Sequence, residues 1–263
     1  MEPTYWRRQT PSKPLFPDLE WSKPERRNQA GKLAIVGGNK LGFAAAAESY
    51  QQALETGVGQ VRVLLPDALK KAVPPTLLEV MLAPSNPSGS LSADAASELR
   101  AVANWSDAAL LIGDAGRNSE TAVLYETFVA DYAGPLTVTR DAIDLVKNNP
   151  RLLVERSDTL IVASFAQMQK LFQGVYYPKM LTFNMQLMQL VEALHKFTIT
   201  YPCTVVTLHK DMLVIAHQGN VVTQAWDQPM AIWRGNVATQ AAAYWLWNPG
   251  DVLGAVVASI ASS

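Results

Sequence analysis

Cysteine is almost missing: the 263 residues contain one, Cys203. A lone cysteine excludes an internal disulfide and a cysteine-ligated metal cluster. Set between Pro202 and Thr204 at the head of an apolar strand, it reads as a small buried hydrophobe rather than a nucleophile. An excess of either charge is missing too. With 22 basic and 23 acidic residues the net charge is −1, which argues against nucleic acid or a membrane surface as the main partner. No apolar run approaches the length of a membrane span, and the opening MEPTYWRRQTPSKP has no hydrophobic signal region. A cytoplasmic protein is the expectation. Two phosphate-binding signatures are absent as well: the chain's first glycine loop is neither G-x-G-x-x-G nor followed by Gly-Lys-Ser/Thr.

What is present starts at Gly31. The stretch GKLAIVGGNKLGFAAAAESYQQALETGVGQVRVLLP, Gly31 to Pro66, reads as strand, glycine loop, helix, glycine turn and strand. Leu33 to Val36 is a short continuous apolar run, as expected of a strand buried on both faces of a parallel sheet. Gly37 and Gly38 stop it, Ala44 to Glu55 are good helix formers, and Gly57 and Gly59 close the helix before Val61 to Leu65. Such a βαβ unit has a right-handed connection. Its Gly37-Gly38-x-x-x-Gly42 loop is compatible with a ligand held on backbone N–H groups at a helix N-terminus, and equally with a tight turn that holds nothing.

The rest of the chain repeats strand, polar loop and helix, which places polar residues at strand C-terminal ends, where open α/β sheets bind ligands. Residues 1–30 carry prolines and no strand or helix periodicity, and are expected to form an extended arm with Trp6, Leu15, Phe16, Leu19 and Trp21 docked on a single domain spanning 31–263. Ala108 to Gly113 is a buried strand that runs into GDAGRNSET, with Asp114 and Arg117 as the first polar groups facing a ligand and Asn118 or Ser119 as the helix cap. Leu136 to Thr139 leads to Arg140-Asp141-Ala142, and Leu160 to Ala163 to Ser164-Phe165-Ala166-Gln167. A methionine-rich helix is expected over Met180 to Phe197, with a hairpin from Cys203 to Leu208 and Met212 to His217, and two final helices beginning near Asn236 and Asp251.

This order of parts resembles the ADP- or ATP-dependent NAD(P)H-hydrate dehydratases, a ribokinase-like family related to the carbohydrate kinases, over roughly residues 30–263. The resemblance implies an α/β, ribokinase-like fold: a central, mostly parallel sheet with helices on both faces, in three layers. GKLAIVGGNKLG matches the family's opening strand and Gly-Gly loop, GDAGRNSET its G-P-G-L-G-R loop, and Asp141 the second acid of its D-A-D-A-L. The function it implies is repair of hydrated NADH or NADPH: phosphoryl transfer from ADP or ATP to the hydrate hydroxyl and then loss of phosphate, with Mg²⁺ offsetting phosphate charge. Gly37, Gly38, Asn39 and Asp141 would bind the hydrate. Asp114, Gly116, Arg117 and Lys210 would attend the nucleotide phosphates, and no protein-held metal is implied.

The departures fall on the chemistry. Counting on from Pro229-Met230-Ala231 puts Arg234-Gly235-Asn236 where the family has G-S-G-D, whose N–H groups hold the transferred phosphoryl group and whose Asp is the base. An asparagine amide cannot accept that proton. The alternative register, Gly250-Asp251-Val252-Leu253, needs an insertion of about fifteen residues and leaves Asp251 better read as an N-cap. Val162 to Gln167 lacks the histidine and glutamate of T-P-H-P-G-E, and Leu208-His209-Lys210 displaces the lysine of L-K-G. Three readings therefore stand: a dehydratase with small-molecule substrate and nucleotide as partners; a lapsed enzyme that binds nucleotide or a partner without turnover; and a kinase for another alcohol. The methionine-rich segment and the tryptophans point to a homo-oligomer.

Overall fold

The structure, a computed structural model, describes residues 3–261. The short apolar runs become strands β1 (Trp6–Arg8), β2 (Lys32–Gly37), β3 (Gln60–Pro66), β4 (Val80–Ala83), β5 (Ala108–Gly113), β6 (Leu136–Thr139), β7 (Thr159–Ser164), β8 (Thr204–His209), β9 (Met212–His217) and β10 (Asn220–Ala225). Among the described residues they form one sheet in the order β1-β10-β9-β8-β7-β6-β5-β2-β3-β4. Only β9 runs against the others, pairing antiparallel with β8 and β10. The intervening helices are α1 (Ala44–Thr56), α2 (Ala96–Trp105), α3 (Ser119–Asp131), α4 (Asp141–Leu145), α5 (Arg151–Val154), α6 (Phe165–Gly174), α7 (Leu187–Thr200), α8 (Pro229–Arg234), α9 (Asn236–Trp247) and α10 (Val252–Ala261).

Alternation along each strand feeds two cores. Ala34 and Val36 of β2 face the layer that holds Leu99, Tyr125, Phe128, Phe172 and Phe197. Leu33 and Ile35 face the opposite layer, with Ala45, Val237, Ala241 and Val256. The result is three layers, as expected. Central strands such as β5 are buried at every position, so truncating Leu110 to alanine costs about 2–5 kcal/mol.

Three expectations need correction. The N-terminal segment does more than drape as an arm: Trp6 to Arg8 pair in parallel with Val221 to Thr223. A three-residue strand is too short to show a period-2 pattern, and what holds it is the buried indole of Trp6, whose Nε1 donates to Thr223 Oγ1 at 3.0 Å. Trp21 does not dock; it is 86% exposed. The methionine-rich helix starts at Leu187 rather than Met180, where Gln186 and Gln189 make a capping box. Met180 and Phe183 lie exposed before it. The cap assignments hold: Asn118 accepts from the N–H groups of Glu120 and Thr121, and Asp251 Oδ1 from Gly254 N–H at 2.8 Å. No helix among the described residues is long and apolar enough to cross a membrane.

Candidate functional site

After β2 the chain winds outward through β3 and β4, then returns to lay β5 on the other side of β2. This reversal opens a crevice at the C-terminal ends of β2 and β5, the place where doubly wound sheets bind ligands. Both strands end in glycine because the backbones meet there. A Cβ on Gly37 would lie 2.3 Å from Gly113 O, and Gly38 N–H donates to that same carbonyl at 2.9 Å.

Beyond β5 the chain turns through two residues with positive φ, Gly113 at 95° and Asp114 at 54°. Successive N–H groups are thereby aimed at one point, a concavity suited to an anion. The anion in place is internal. Asp141 Oδ1 accepts from Asp114 N–H at 2.7 Å, and Oδ2 from Ala115 and Gly116 at 3.1 and 3.3 Å. Burial raises the Asp141 carboxyl above its ordinary value, and the charge of Asp114 adds to this; the N–H groups and the Arg140 guanidinium oppose it.

Asp114 works as a hub. Its Oδ2 accepts from Ala45 N–H at 2.9 Å, placing a carboxylate at the positive end of α1. Its Oδ1 pairs with Arg140 Nη2. Arg140 itself holds φ 56° and ψ −141°, a conformation that costs a non-glycine residue about 1–3 kcal/mol. From there its Nη1 reaches Arg234 O at 3.3 Å, and its buried Nε has no hydrogen-bond partner. Gly235, at φ 96°, ends α8 and begins α9; its N–H donates to Ile232 O at 3.1 Å. Asn236 turns its amide to Gln52 Oε1 on α1. Asn39 donates through Nδ2 to Asp114 O, and Lys40 N–H donates to Gly89 O at 2.8 Å, so the loop around Gly89 lies against the Gly-Gly loop.

Two cavities of about 470 Å³ each open at this edge. The first is lined by Arg140, Asp144, Val162, Gln167, Ile232 and Trp233, among others. The second is lined by Gly116, Arg117, Ser119, Lys147, Asn148 and Lys170, among others. They share Asp141, Asp144 and Lys170. Asp144 accepts from Gln167 Nε2 at 3.0 Å and from Lys170 Nζ at 2.9 Å, joining α4 to α6. A third cavity, of about 390 Å³, lies between α2 and α3, beside Leu99, Phe128 and Tyr132. It opens near Asp107 and Gly134, which precede β5 and β6, and so belongs to the other end of the sheet.

The structure thus brings Asp114, Gly116, Arg117 and Asp141 to one edge. Gly37, Gly38, Asn39, Arg234, Gly235 and Asn236 adjoin it without lining either edge cavity, and Lys210 sits exposed at the β8–β9 turn with φ 57°. Residues that the sequence did not single out are Arg140, Asp144, Lys147, Lys170 and Trp233. The available signal was spacing alone: Asp144 stands three residues after Asp141, and Lys170 three after Gln167, one helical turn in each case. The donors do not fit a divalent cation held by the protein. No cluster of three or more His, Cys, Asp or Glu suited to a metal occurs among the described residues, and the carboxylates of Asp114 and Asp141 are already bound to N–H groups.

No family model and no curated protein matches the sequence. Solved structures do. A ribokinase-like superfamily protein from Enterococcus faecalis aligns with TM-score 0.73 at 14% identity, over 100% of this chain and 88% of that one. An ADP/ATP-dependent NAD(P)H-hydrate dehydratase from Bacillus subtilis, co-crystallised with ATP/Mg²⁺, aligns with TM-score 0.62 at 13% identity, over 92% and 84%. A phosphomethylpyrimidine kinase from Clostridium difficile aligns with TM-score 0.55 at 9% identity, over 87% and 96%. The chain therefore has the ribokinase-like α/β fold. Within that fold it bears a distant structural likeness to NAD(P)H-hydrate dehydratase.

Proposed function

We propose that this chain is a ribokinase-like protein that binds a ligand at the C-terminal edge of its sheet and has lapsed as a phosphoryl-transfer enzyme. One observation carries the reading: Arg140 spans from Asp114 to the carbonyl of Arg234. Its guanidinium lies between the strand-end loop and the start of α9, where the resemblance calls for an open anion hole. Neighbouring groups are committed in the same way. Gly235 N–H is used by the Ile232 carbonyl, the Asn236 side-chain Nδ2 by Gln52 Oε1, and the N–H groups of residues 114–116 by Asp141. A phosphoryl group entering there would have to compete with Asp114 and the Arg234 carbonyl for that guanidinium, and with Asp141 for the loop N–H groups. The Asn236 amide is also too weak a base to take the proton, and a missing general base slows a reaction by ~10²–10⁴.

The second reading is an active NAD(P)H-hydrate dehydratase. It is favoured by the fold likeness to the Bacillus subtilis enzyme and by two acids, Asp114 and Asp141, at strand ends. On that reading ADP or ATP would approach Gly116 and Arg117 and bring its own Mg²⁺, since the protein offers that ion no cage. Hydrated NADH or NADPH would lie near Gly37, Gly38 and Asn39. Both readings are tested by supplying hydrated NADH, Mg²⁺ and either nucleotide, and following the absorbance of regained NADH. The expected result is none from the natural protein. Regained NADH would overturn the lapsed reading and require another base, with Asp141 examined first by substitution. Activity gained only in Asn236→Asp would establish Asn236 as the lost base position.

A further inference from the structure

Far from the candidate site, at the N-terminal end of β3, the sheet leaves an edge open. Strand β4 pairs with β3 only from Val63 onward, so no strand covers the outer edge of Gln60 to Arg62. A single cavity of about 490 Å³ opens there, within the ~300–1,000 Å³ of small-molecule sites. Alternation along β3 sends Val61 into the α1 layer, where Tyr50 and Leu54 supply an apolar wall, and Arg62 to the α2 layer, where Trp105 ends its helix.

Three side chains lining this cavity have donors without partners. Arg27 is held in place: its Nε donates to Gly59 O at 3.1 Å, and a Cβ on Gly59 would stand 2.1 Å from Arg27 O. Its two Nη groups make no hydrogen bond or ion pair among the described residues. Arg62 lies with its guanidinium carbon 4.1 Å from the Trp105 ring centre, and its Nη2 is 3.7 Å from Glu79, beyond hydrogen-bond length. Tyr50 is 4% exposed, and its hydroxyl has no hydrogen-bond partner among the described residues. A buried tyrosine ordinarily satisfies that hydroxyl.

We infer that this cavity binds a small monocarboxylic acid with an apolar body, its carboxylate among the donors of Arg27, Arg62 and Tyr50 and its body against Leu54 and Val61. The two arginines are close enough to share one group. Arg27 is tied to Gly59, three residues before Arg62, about 10 Å along a strand that rises ~3.3 Å per residue, and two long side chains span that gap. A carboxylate suits the fork left on Arg27, because its two oxygens accept parallel bonds from one guanidinium. Charge selects a monoanion. Arg27 and Arg62 against Glu79 leave the lining one positive charge in excess, which a carboxylate neutralises, whereas a dianion would overshoot it and meet repulsion from Glu79. A cationic ligand would face both guanidinium groups. The inference stands apart from the reading of the C-terminal edge, which lies at the other end of the strands.

Calorimetric titration of the full chain with phenylacetate, phenylacetamide and acetate tests the assignment. Phenylacetate is expected to bind, and the neutral amide and the bodiless acetate to bind about tenfold more weakly or less tightly still. Arg27→Gln should weaken phenylacetate by about tenfold. Tyr50→Phe should weaken it by ~3–10-fold without lowering the thermal midpoint, since the hydroxyl it removes has no partner in the free chain. Glu79→Gln, which frees Arg62 of its competing carboxylate, should tighten binding by ~2–5-fold. Arg27 and Glu79 are exposed, and an unchanged midpoint verifies that those variants fold. Binding that ignores Arg27→Gln and Tyr50→Phe but falls with Arg100→Gln, on the cavity between α2 and α3, or with Arg117→Gln, at the C-terminal edge, would overturn the placement. Phenylacetamide binding as tightly as phenylacetate would overturn the carboxylate, and failure of phenylacetate to bind at millimolar concentration would overturn the site. None of these results bears on the turnover assay with hydrated NADH, so the two readings fail separately.

Discussion

Replacing Gly113 by alanine probes the internal anion directly. Gly113 has φ 95°, and its Cβ would stand 2.2 Å from Asp141 Oδ1, far inside contact distance. Two costs follow. A left-handed backbone conformation costs an alanine about 1–2 kcal/mol. The carboxylate must also move, giving up the bond from Asp114 N–H at 2.7 Å and weakening those from Ala115 and Gly116. A hydrogen bond to a charged group is worth about 1.5–3 kcal/mol. The sum is about 3–5 kcal/mol, a large share of the ~5–15 kcal/mol that holds a domain together. At about 2–4 °C per kcal/mol for a chain of this size, the thermal midpoint should fall by roughly 6–20 °C. Gly42→Ala is the comparison, because nothing lies within 4 Å of its added Cβ; its midpoint should stay within a degree or two of the natural protein's, or rise slightly. Scanning calorimetry of the two variants decides. A fall of less than about 2 °C in Gly113→Ala would mean that the carboxylate does not occupy the concavity, and the proposal of a blocked anion site would go with it.

Asp141 also predicts a pH signature. Its folded pKa is raised, chiefly by burial, so the stability from its titration is full below the unfolded value and is lost as pH rises through the folded one. Urea unfolding should show the natural protein's advantage over Asp141→Asn shrinking from acid toward neutral pH; an advantage that grew would contradict the assigned direction. Burial pushes the Cys203 thiol up to about 12, so a thiol reagent near pH 8 should label the folded chain far more slowly than the urea-unfolded chain. Equal rates would show that Cys203 is not enclosed beside β8.

Much of the frame was legible because it is written in local pattern. The β2–α1–β3 unit follows from an apolar run, two glycine stops and a helix-forming stretch, and the cap at Asn118 from a single residue type beside the right neighbours. The closure of the site was not legible, because its bonds join residues that no local pattern relates. Asn236 meets Gln52 across 184 positions, and Arg140 meets Arg234 across 94. The positive φ of Arg140 has no sequence signature, arginine being an unfavourable residue there. Resemblance pointed to the edge of the sheet, where Asp114, Gly116, Arg117 and Asp141 come together. It could not tell that the loop's N–H groups would be taken by the chain's own Asp141.

The pairing of β1 with β10 orders events on the ribosome. Trp6 is synthesised 217 residues before Thr223, its hydrogen-bond partner, which at ~5–20 residues per second is a delay of roughly 10–40 s. During that time the stretch around Trp6 has no edge to join, although all of β2 to β8 can already assemble beside it. The outer margin of the sheet is therefore completed late, by a stretch made well before the strand it joins. A nascent chain halted before residue 220 would carry an indole with nowhere to bury, which makes Trp6 a natural contact for whatever shields unfinished chains.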